Sequence, residues 1–420
     1  MADTARKYDI LVWGATSFTG ARLVEYLALN APAKTRIALG GRNKSKLNSV
    51  QTSLAAKHPS AAGTLRAMDI LVGDSANAAR LHEIVAQTKV VASTVGPYTR
   101  HGTKIVHACV DEKTDYCDIT GELPWVKEMH SKLNEKAVRN NVHIASLCGF
   151  DCIPADLGCL MLAQYAREEF KEPLLHVKGS IVGIRGGVSG GTLRTLANQL
   201  HVEKKSVFKS MFSGQAPSEQ TAVKKFAKRG LIHYDETLGR WQTFWIMSLV
   251  NSQTVNWAGE VLGYGPGFQY AESMSARNLF HAVVIALGLF YGVILIFFSL
   301  TRSFLYAIKV IPRPGDGPSE SFTESGFFSL HLEASTANHV FYGKVAGSSD
   351  PGYGETIKYL GESALCLAFD RDKKFRPGVY PPSVIMGDAL LGRLRGKGCQ
   401  FEVARKPIAA ALKGNAKKKL

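Results

Sequence analysis

Acidic residues are scarce in this chain: 35 Asp plus Glu stand against 51 Lys plus Arg, leaving a net charge of +16 over 420 residues. That excess suits an anionic partner such as nucleic acid, anionic lipid or a phosphorylated cofactor. No recognisable nucleic-acid motif accompanies it, so nucleic acid is set aside as a partner. The seven cysteines include no C-x-x-C pair, which removes the usual zinc-ribbon and dithiol-redox spacings. Their odd number cannot pair completely, and they read as reduced, intracellular thiols. His-x-x-x-His spacing is also absent, and no metal is expected. None of the fourteen tyrosines is followed four positions later by Lys, so the Tyr-x-x-x-Lys pair of short-chain dehydrogenases is excluded. The forty glycines show no Gly-X-Y period, which excludes collagen. Charged residues make up only 20% of a chain that is 45% hydrophobic, too apolar a balance for a disordered polymer. Strand-like sequence begins at Tyr8, leaving no room for a charged and then apolar leader, so no signal peptide is expected.

What is present is an alternation. Short apolar runs at 8–13, 36–40, 64–71, 89–95, 115–119 and 142–147 predict six strands, separated by longer helical patterns. The run Val90-Val91-Ala92-Ser93-Thr94-Val95 is apolar enough for burial on both faces, as in a parallel strand. The fold class expected is α/β: a Rossmann-type doubly wound parallel sheet, then a second α/β or α+β domain, with a hydrophobic membrane-associating helical segment. The boundaries expected are 1–150 for the dinucleotide domain, 151–275 and 322–405 for two parts of a substrate domain, 276–311 for the hydrophobic segment and 406–420 for a basic tail. Within the last part, 327–345 reads as strand, 354–369 and 384–395 as helix and 399–403 as strand.

After the first strand comes Gly14-Ala15-Thr16-Ser17-Phe18-Thr19-Gly20, then a helical pattern. Glycine lets the backbone approach a pyrophosphate, and the helix N-terminus turns its free N–H groups toward it. The spacing departs from strict G-x-G-x-x-G, but its place in the first strand-to-helix turn supports the reading over an ordinary tight turn. The second strand ends Gly40-Gly41-Arg42-Asn43-Lys44, where an NAD-selective site places Asp or Glu. Arg42, with Lys44 nearby, fits a 2′-phosphate, so NADP(H) is expected over NAD(H). Asp74, after the third strand, is a candidate adenine contact. Val95, Gly96 and Pro97 close the fourth strand beside the nicotinamide position, with Tyr98 next to them as a catalytic candidate or a packed loop aromatic.

The segment Gly149-Phe150-Asp151-Cys152-Ile153-Pro154-Ala155-Asp156-Leu157-Gly158 resembles the hallmark of saccharopine dehydrogenase-like oxidoreductases, a family related to bacterial trans-acting enoyl reductases, with Cys152 replacing the usual serine. The Gly14–Gly20 turn, Val95–Tyr98, Ser189–Thr192, Asp350–Tyr353 and Gly378–Pro382 are similar to that family as well. The resemblance implies an NADP-binding Rossmann domain, a second domain carrying the substrate and a lipid-associated role, but not saccharopine dehydrogenase activity. From the residues alone, Asp151 and Asp156 lie just past the sixth strand. Asp156 reads either as a helix cap or as a residue that orients substrate, and both remain open. Cys152, with no flanking His, reads as a packed residue rather than a nucleophile. Gly190-Gly191-Thr192 reads as an anion-binding nest or a hairpin turn. The catalytic candidates are therefore Tyr98, Asp151 and Asp156.

Residues 279–300 carry no formal charge, and fifteen of the twenty-two are Leu, Ile, Val or Phe. At roughly 0.3–0.6 kcal/mol each, these favour a bilayer centre by about 5–9 kcal/mol before polar groups are set against them. A buried core helix is the alternative. A simple span would separate residues 322–405 from the cytosolic NADP domain, so a monotopic insertion bending at Gly288 and Gly292 is expected, on endoplasmic reticulum or a lipid droplet, with a mitochondrial site open. Arg277, Arg302, Lys309 and Arg313 would meet anionic headgroups. The tail Lys417-Lys418-Lys419-Leu420 resembles a dilysine retrieval signal or is simply solvated. These readings converge on an NADP(H)-dependent oxidoreductase that reduces a carbonyl or enoyl group of a lipid or polyketide-like substrate. Its expected partners are that lipid and a membrane or lipid-droplet surface, with a homodimer left open. The rival is a non-catalytic NADP-binding scaffold or sensor.

Overall fold

The computed structural model describes residues 6–187, 231–308, 311, 317, 319–371 and 374–406. They fall into two compact units. The first runs to Phe150 and adds Gly352–Leu394; the second starts at Asp151, includes 319–351 and resumes at Arg395.

The first unit is a seven-stranded sheet built from β1 (Tyr8–Trp13), β2 (Ile37–Gly41), β3 (Asp69–Val72), β4 (Thr88–Ser93), β5 (Asp115–Asp118), β6 (His143–Ala145) and β13 (Gly378–Tyr380), in the order β13-β6-β5-β4-β1-β2-β3. Every pairing is parallel. All six side chains of β1 are buried, as expected of a strand covered by helices on both faces. The order reverses between β1 and β4, so their carboxyl ends flank the crevice where such sheets bind ligands. Sequence reading placed the third strand at 64–71, but residues Ala62–Arg66 are helical and the strand begins at Asp69.

The largest departure lies in the C-terminal region, expected to belong wholly to the substrate domain. Residues Gly352–Leu394 instead complete the first unit. Helix Thr356–Phe369 packs on β1, β4, β5 and helix Phe18–Asn30. Gly361 permits that approach, because a Cβ there would lie 2.5 Å from the Tyr26 ring. β13 is seated beside β6 by helix Leu123–Asn140: the Val379 N–H donates to Asn134 Oδ1 at 3.0 Å, and His130 Nδ1 lies 2.7 Å from the Val379 carbonyl.

The second unit is a seven-stranded mixed sheet of β7 (His176–Arg185), β8 (Ile232–Asp235), β9 (Arg240–Thr243), β10 (Gln269–Ala276), β11 (Phe327–Ser335), β12 (Val340–Gly347) and β14 (Gln400–Ala404), ordered β14-β12-β11-β7-β10-β9-β8. β7 and β10 pair in parallel and the remaining pairs are antiparallel. The expected single strand over 327–345 is a hairpin turning between Ser335 and Val340. Phe328, Leu330, Leu332 and Ala334 point to one buried face, the period-2 pattern of a half-covered sheet. Helix Ile153–Tyr165 lies on that face, with Gly158 against Leu332 and Val345. Helix Ser248–Leu262 packs on β10.

The apolar run forms helix Leu279–Phe297, long and apolar enough by length and composition to cross a membrane. Ala282 and Val293 are its buried positions, and Val293 packs among Phe244, Ile246, Leu249, Phe290 and Phe297. The helix also contacts β8, β9 and β10. The helix runs unbroken through Gly288 and Gly292; the break comes at Phe298, before helix Ser299–Ala307.

Candidate active site

The turn after β1 is shaped by two glycines and two hydroxyls. Gly14 adopts φ +91°, a region L side chains avoid, and a Cβ there would lie 2.6 Å from Val95 Cγ2. A Cβ on Gly20 would lie 2.1 Å from the Gly14 carbonyl oxygen. Ser17 caps helix Phe18–Asn30 by accepting the Gly20 N–H at 2.9 Å, and its hydroxyl is 3.1 Å from Thr94 Oγ1. Thr94 also donates to the Gly14 carbonyl at 3.2 Å, tying the β1 turn to the β4 turn. No acidic residue stands in the first helical turn, so the positive dipole end is uncompensated. Ala15 and Gly14 are buried, Thr16 is exposed, and Ser17, Phe18 and Thr19 are half-buried.

Arg42 lies exposed just past β2 and makes no hydrogen bond or ion pair among the described residues; Lys44 beside it is exposed too. Asn43 caps the next helix through the Lys46 N–H, leaving the guanidinium uncommitted. Asp74 is exposed past β3, where its Oδ1 accepts the Ala76 N–H at 2.7 Å and closes a local turn. A cradle that a Cβ would fill, a bare helix N-terminus and an unpaired guanidinium after β2 fit a dinucleotide with a 2′-phosphate.

At the end of β4, Val95 is half-buried, Gly96 exposed and Pro97 buried. Tyr98 is 4% exposed and donates its hydroxyl to the Ser93 carbonyl at 3.1 Å. Burial pushes that phenol well above its ordinary range. This geometry makes Tyr98 a support of the turn rather than a free acid. Buried Glu122 holds the same turn, accepting the Tyr98 and Thr99 N–H groups at 2.8 and 3.0 Å. Asp118, at the end of β5, is fully buried and is pushed up to about 7 by desolvation, although Thr120, Ser146 and Leu147 donate to it. Sequence reading missed Thr94, Glu122 and Asp118; the only trace was small or acidic residues at strand ends.

Residues 10–144 match the saccharopine dehydrogenase NADP binding domain. Over 425 residues the chain is 32% identical to a putative trans-acting enoyl reductase of Mycobacterium tuberculosis, an alignment covering 96% of this chain and 99% of that one. The chain belongs to the saccharopine dehydrogenase-like oxidoreductases. As a member of that family it is an oxidoreductase, and its cofactor is NADP(H). It is also 30% identical to a trans-acting enoyl reductase of Mycobacterium bovis, covering 96% of this chain and all of that one. The fold is shared with apo saccharopine dehydrogenase (L-Glu forming) of Saccharomyces cerevisiae, at TM-score 0.55 and 12% identity over 94% of this chain and 99% of that one.

The segments that carried the family resemblance have identifiable local roles. Tyr353 packs edge-on against Phe18 of the phosphate turn, with centroids 5.1 Å apart. Gly378–Tyr380 is β13 itself. In the second unit, Asp350 is buried and accepts the Gly187 N–H. Cys152 stands at the N-cap of helix Ile153–Tyr165 with its Sγ 3.9 Å from Thr254 Oγ1, and burial pushes the thiol well above its usual range. It packs and does not act as a nucleophile. Asp156 is fully buried in the first helical turn, one turn beyond the cap position. Residues 189–192, the paired lysines that follow them and residues 407–420 lie outside the described residues. The letters Gly187 to Gly191 also spell G-x-S-x-G, but the family and dinucleotide fold give that spacing no hydrolase context.

The second unit holds another charged cluster. Glu272, on β10, accepts the Asn251 Nδ2–H at 2.7 Å and is pushed up to about 8, chiefly by desolvation. Desolvation likewise raises Asp151, which is half-buried, to about 6, and its charge pushes Glu272 further up. Nothing in the sequence around Gln269–Ala276 marked Glu272.

Proposed function

We propose that the chain uses NADPH to reduce a carbonyl or an activated double bond in a lipid or polyketide-like acyl substrate, at an endoplasmic reticulum or lipid-droplet surface. When bound, the nicotinamide supplies a hydride. Gly14, Gly20, Ser17 and the helix N-terminus would hold the pyrophosphate, and Arg42 with Lys44 the 2′-phosphate. Two mycobacterial relatives named as trans-acting enoyl reductases support the enoyl reading.

The observation that carries the lipid reading is the two-faced apolar helix Leu279–Phe297. One face rests on the second unit through Ala282 and Val293. The opposite face leaves Phe280 77% exposed, with Val284, Leu287, Tyr291 and Leu295 also exposed along the helix. Helix Ser299–Ala307 follows with Leu300 85% exposed and Phe304 and Ile308 on the same side. Solvated globular surfaces do not carry a continuous apolar patch of this kind without a partner. Because the helix rests on the unit near both ends, insertion into one leaflet fits better than a span, and the catalytic units stay on the cytosolic side. This replaces the expected bend at Gly288 and Gly292 with a helix lying along the surface.

The test is NADPH oxidation by purified protein given trans-2-enoyl thioesters of increasing chain length, with and without vesicles. Turnover that rises with chain length supports the proposal. Tight NADPH binding without oxidation, across a broad lipid extract, favours the scaffold or sensor reading instead.

A further inference from the structure

We propose that Glu122 is a positioning residue that fixes which way the dinucleotide lies in the crevice of the first unit. Its carboxylate takes the two backbone donors of the turn after β4. The pyrophosphate is thereby left to the Gly14–Gly20 turn, and the β4 turn becomes the seat of the nicotinamide end. The inference rests on the cofactor-site reading above and deepens it.

Two strand-to-helix turns border the crevice, one after β1 and one after β4. Backbone N–H groups at such turns attract anions when nothing else accepts from them. After β1 they are open: Ser17 takes the Gly20 N–H, while the Phe18 and Thr19 N–H groups make no hydrogen bond among the described residues. After β4 they are closed. Glu122 Oε1 accepts the Tyr98 N–H at 2.8 Å and Oε2 the Thr99 N–H at 3.0 Å, with Glu122 only 2% exposed. A phosphate approaching the β4 turn would meet a carboxylate in place of free donors, and like charges repel.

The carboxylate is held there from outside the turn. Glu122 stands at the N-cap of helix Leu123–Asn140, the position from which a side chain ordinarily bonds back to its own helix. It makes no such bond and reaches across to the β4 turn instead. Its own N–H is anchored on Thr120 Oγ1 at 3.0 Å, and the Thr120 N–H on Asp118 Oδ1 at 3.0 Å, so the end of β5 fixes it. Trp125, three residues on, completes the clamp. Its ring lies 5.7 Å from that of Tyr98, and its indole N–H donates to Thr103 Oγ1 at 3.0 Å. A Cβ on Gly102 would lie 2.7 Å from the same indole. Tyr98–Thr103 is thus seated on one helix start, and that fixes Gly96 and Pro97 just before it.

Two consequences follow for a bound cofactor. Between these two turns, negative charge finds open donors only after β1, so the phosphates and the nicotinamide sort to opposite sides of the crevice. The β4 turn also cannot retreat from the nicotinamide without breaking two bonds in a buried place, where an unmade hydrogen bond is costly. The ring is then presented in one orientation for hydride transfer.

The experiment compares wild type, Glu122→Ala, Glu122→Gln and Thr114→Val on the full-length protein with two probes, NADPH and adenosine 2′,5′-bisphosphate. The second probe carries the 2′-phosphate but no nicotinamide. Thr114 is the control for a merely structural effect: it is buried just before β5, at the opposite edge of the same sheet, with its hydroxyl 2.8 and 3.1 Å from the Val85 and Thr88 carbonyl oxygens. Glu122→Ala is expected to weaken NADPH binding by about tenfold or more and bisphosphate binding by less than about twofold. Glu122→Gln keeps one acceptor oxygen and should recover part of the NADPH loss; if Glu122→Ala does not fold, the same split in Glu122→Gln carries the result. At saturation, emission from bound NADPH should be less polarised in both variants than in wild type, because the ring is held less firmly. Thr114→Val should lower the melting temperature without splitting the probes. Equal losses for both probes, unchanged NADPH affinity in the Glu122 variants, or the same split in Thr114→Val overturns the proposal. Failure of wild type to bind either probe defeats the cofactor-site reading, and this proposal with it. Binding is read without turnover, so a protein that binds NADPH but reduces no acyl thioester defeats the reductase reading alone, and the split still decides the role of Glu122.

Discussion

The Tyr26 hydroxyl donates to Glu362 Oε1 at 2.7 Å, joining the first helix of the dinucleotide fold to a helix 336 residues later in the chain. Arg393 Nη1 donates to the other carboxylate oxygen at 2.9 Å and also pairs with Asp370. Glu362 is buried, so the arrangement is a satisfied polar network that fixes the C-terminal segment to the first unit. Tyr26→Phe should cost about 1 kcal/mol, the usual net worth of one hydrogen bond. Glu362→Ala should cost more than Tyr26→Phe, because it removes the acceptor of both Tyr26 and Arg393 and leaves Asp370 as the partner of the guanidinium. Urea unfolding followed by tryptophan fluorescence checks both, and equal small effects would show that the network contributes little.

The phosphate turn makes a sharper prediction. Gly20→Ala would push a Cβ to within 2.1 Å of the Gly14 carbonyl oxygen, a backbone atom that cannot swing aside. The turn must open. NADPH affinity should fall at least tenfold, with a lower melting temperature, whereas Gly63→Ala, whose Cβ would meet nothing within 4 Å, should leave affinity unchanged. Calorimetric titration of both variants reads the difference.

The proposed 2′-phosphate contact makes Arg42 the residue to test for cofactor choice. Hydrogen bonds to a charged group contribute about 1.5–3 kcal/mol, so Arg42→Ala should weaken NADPH binding by roughly ten- to a hundredfold. NADH, which lacks the 2′-phosphate, should bind nearly as before. Equal losses for both nucleotides would remove Arg42 from that role.

The first 150 residues were readable because each strand there is a buried apolar run bounded by turn residues and followed by a helix. The Gly14–Gly20 turn was legible in the same way, since glycine is required where the backbone folds onto itself. β13 was not: Gly378–Tyr380 is three residues long and becomes a strand only because β6, Asn134 and His130 are waiting for it. For the same reason nothing local in Gly352–Leu394 says that it belongs with the first unit; that depends on contacts of Gly361 and Glu362 with Tyr26. Tyr98 was placed near the right strand end, but whether its hydroxyl points to solvent or to the Ser93 carbonyl is a tertiary fact. Glu272 was invisible because its character comes from burial and from Asp151, which is far away in sequence.

The exposed helix faces make the proposed lipid contact testable. Phe280→Glu combined with Phe304→Glu places charge on the apolar surface of both helices, and co-flotation with anionic vesicles should be lost while NADPH binding remains. High salt should weaken flotation of the wild type only partly, since the apolar term is insensitive to screening. Protease should reach residues on both sides of the helix pair, 6–187 and 319–406, from the same face of the vesicle. Protection of 319–406 alone would mean that Leu279–Phe297 spans the bilayer.

Stability should carry a pH signature from Glu272 as well. Its folded-state value, about 8, lies above the ordinary 4.5 of glutamate, so between those values the folded state holds a proton that the unfolded chain has released. Stability then falls with rising pH across that window, the reverse of a salt-bridged carboxylate such as Asp9, which Arg36 and Lys89 hold at about 2 and whose contribution is lost only in acid. Asp151, raised to about 6, adds the same sign over a narrower range. Glu272→Gln cannot ionise, and its unfolding free energy should therefore decline less than that of wild type between pH 5 and 8. Parallel curves for the two proteins in urea titrations across that range would place the Glu272 carboxyl back among ordinary, ionised glutamates.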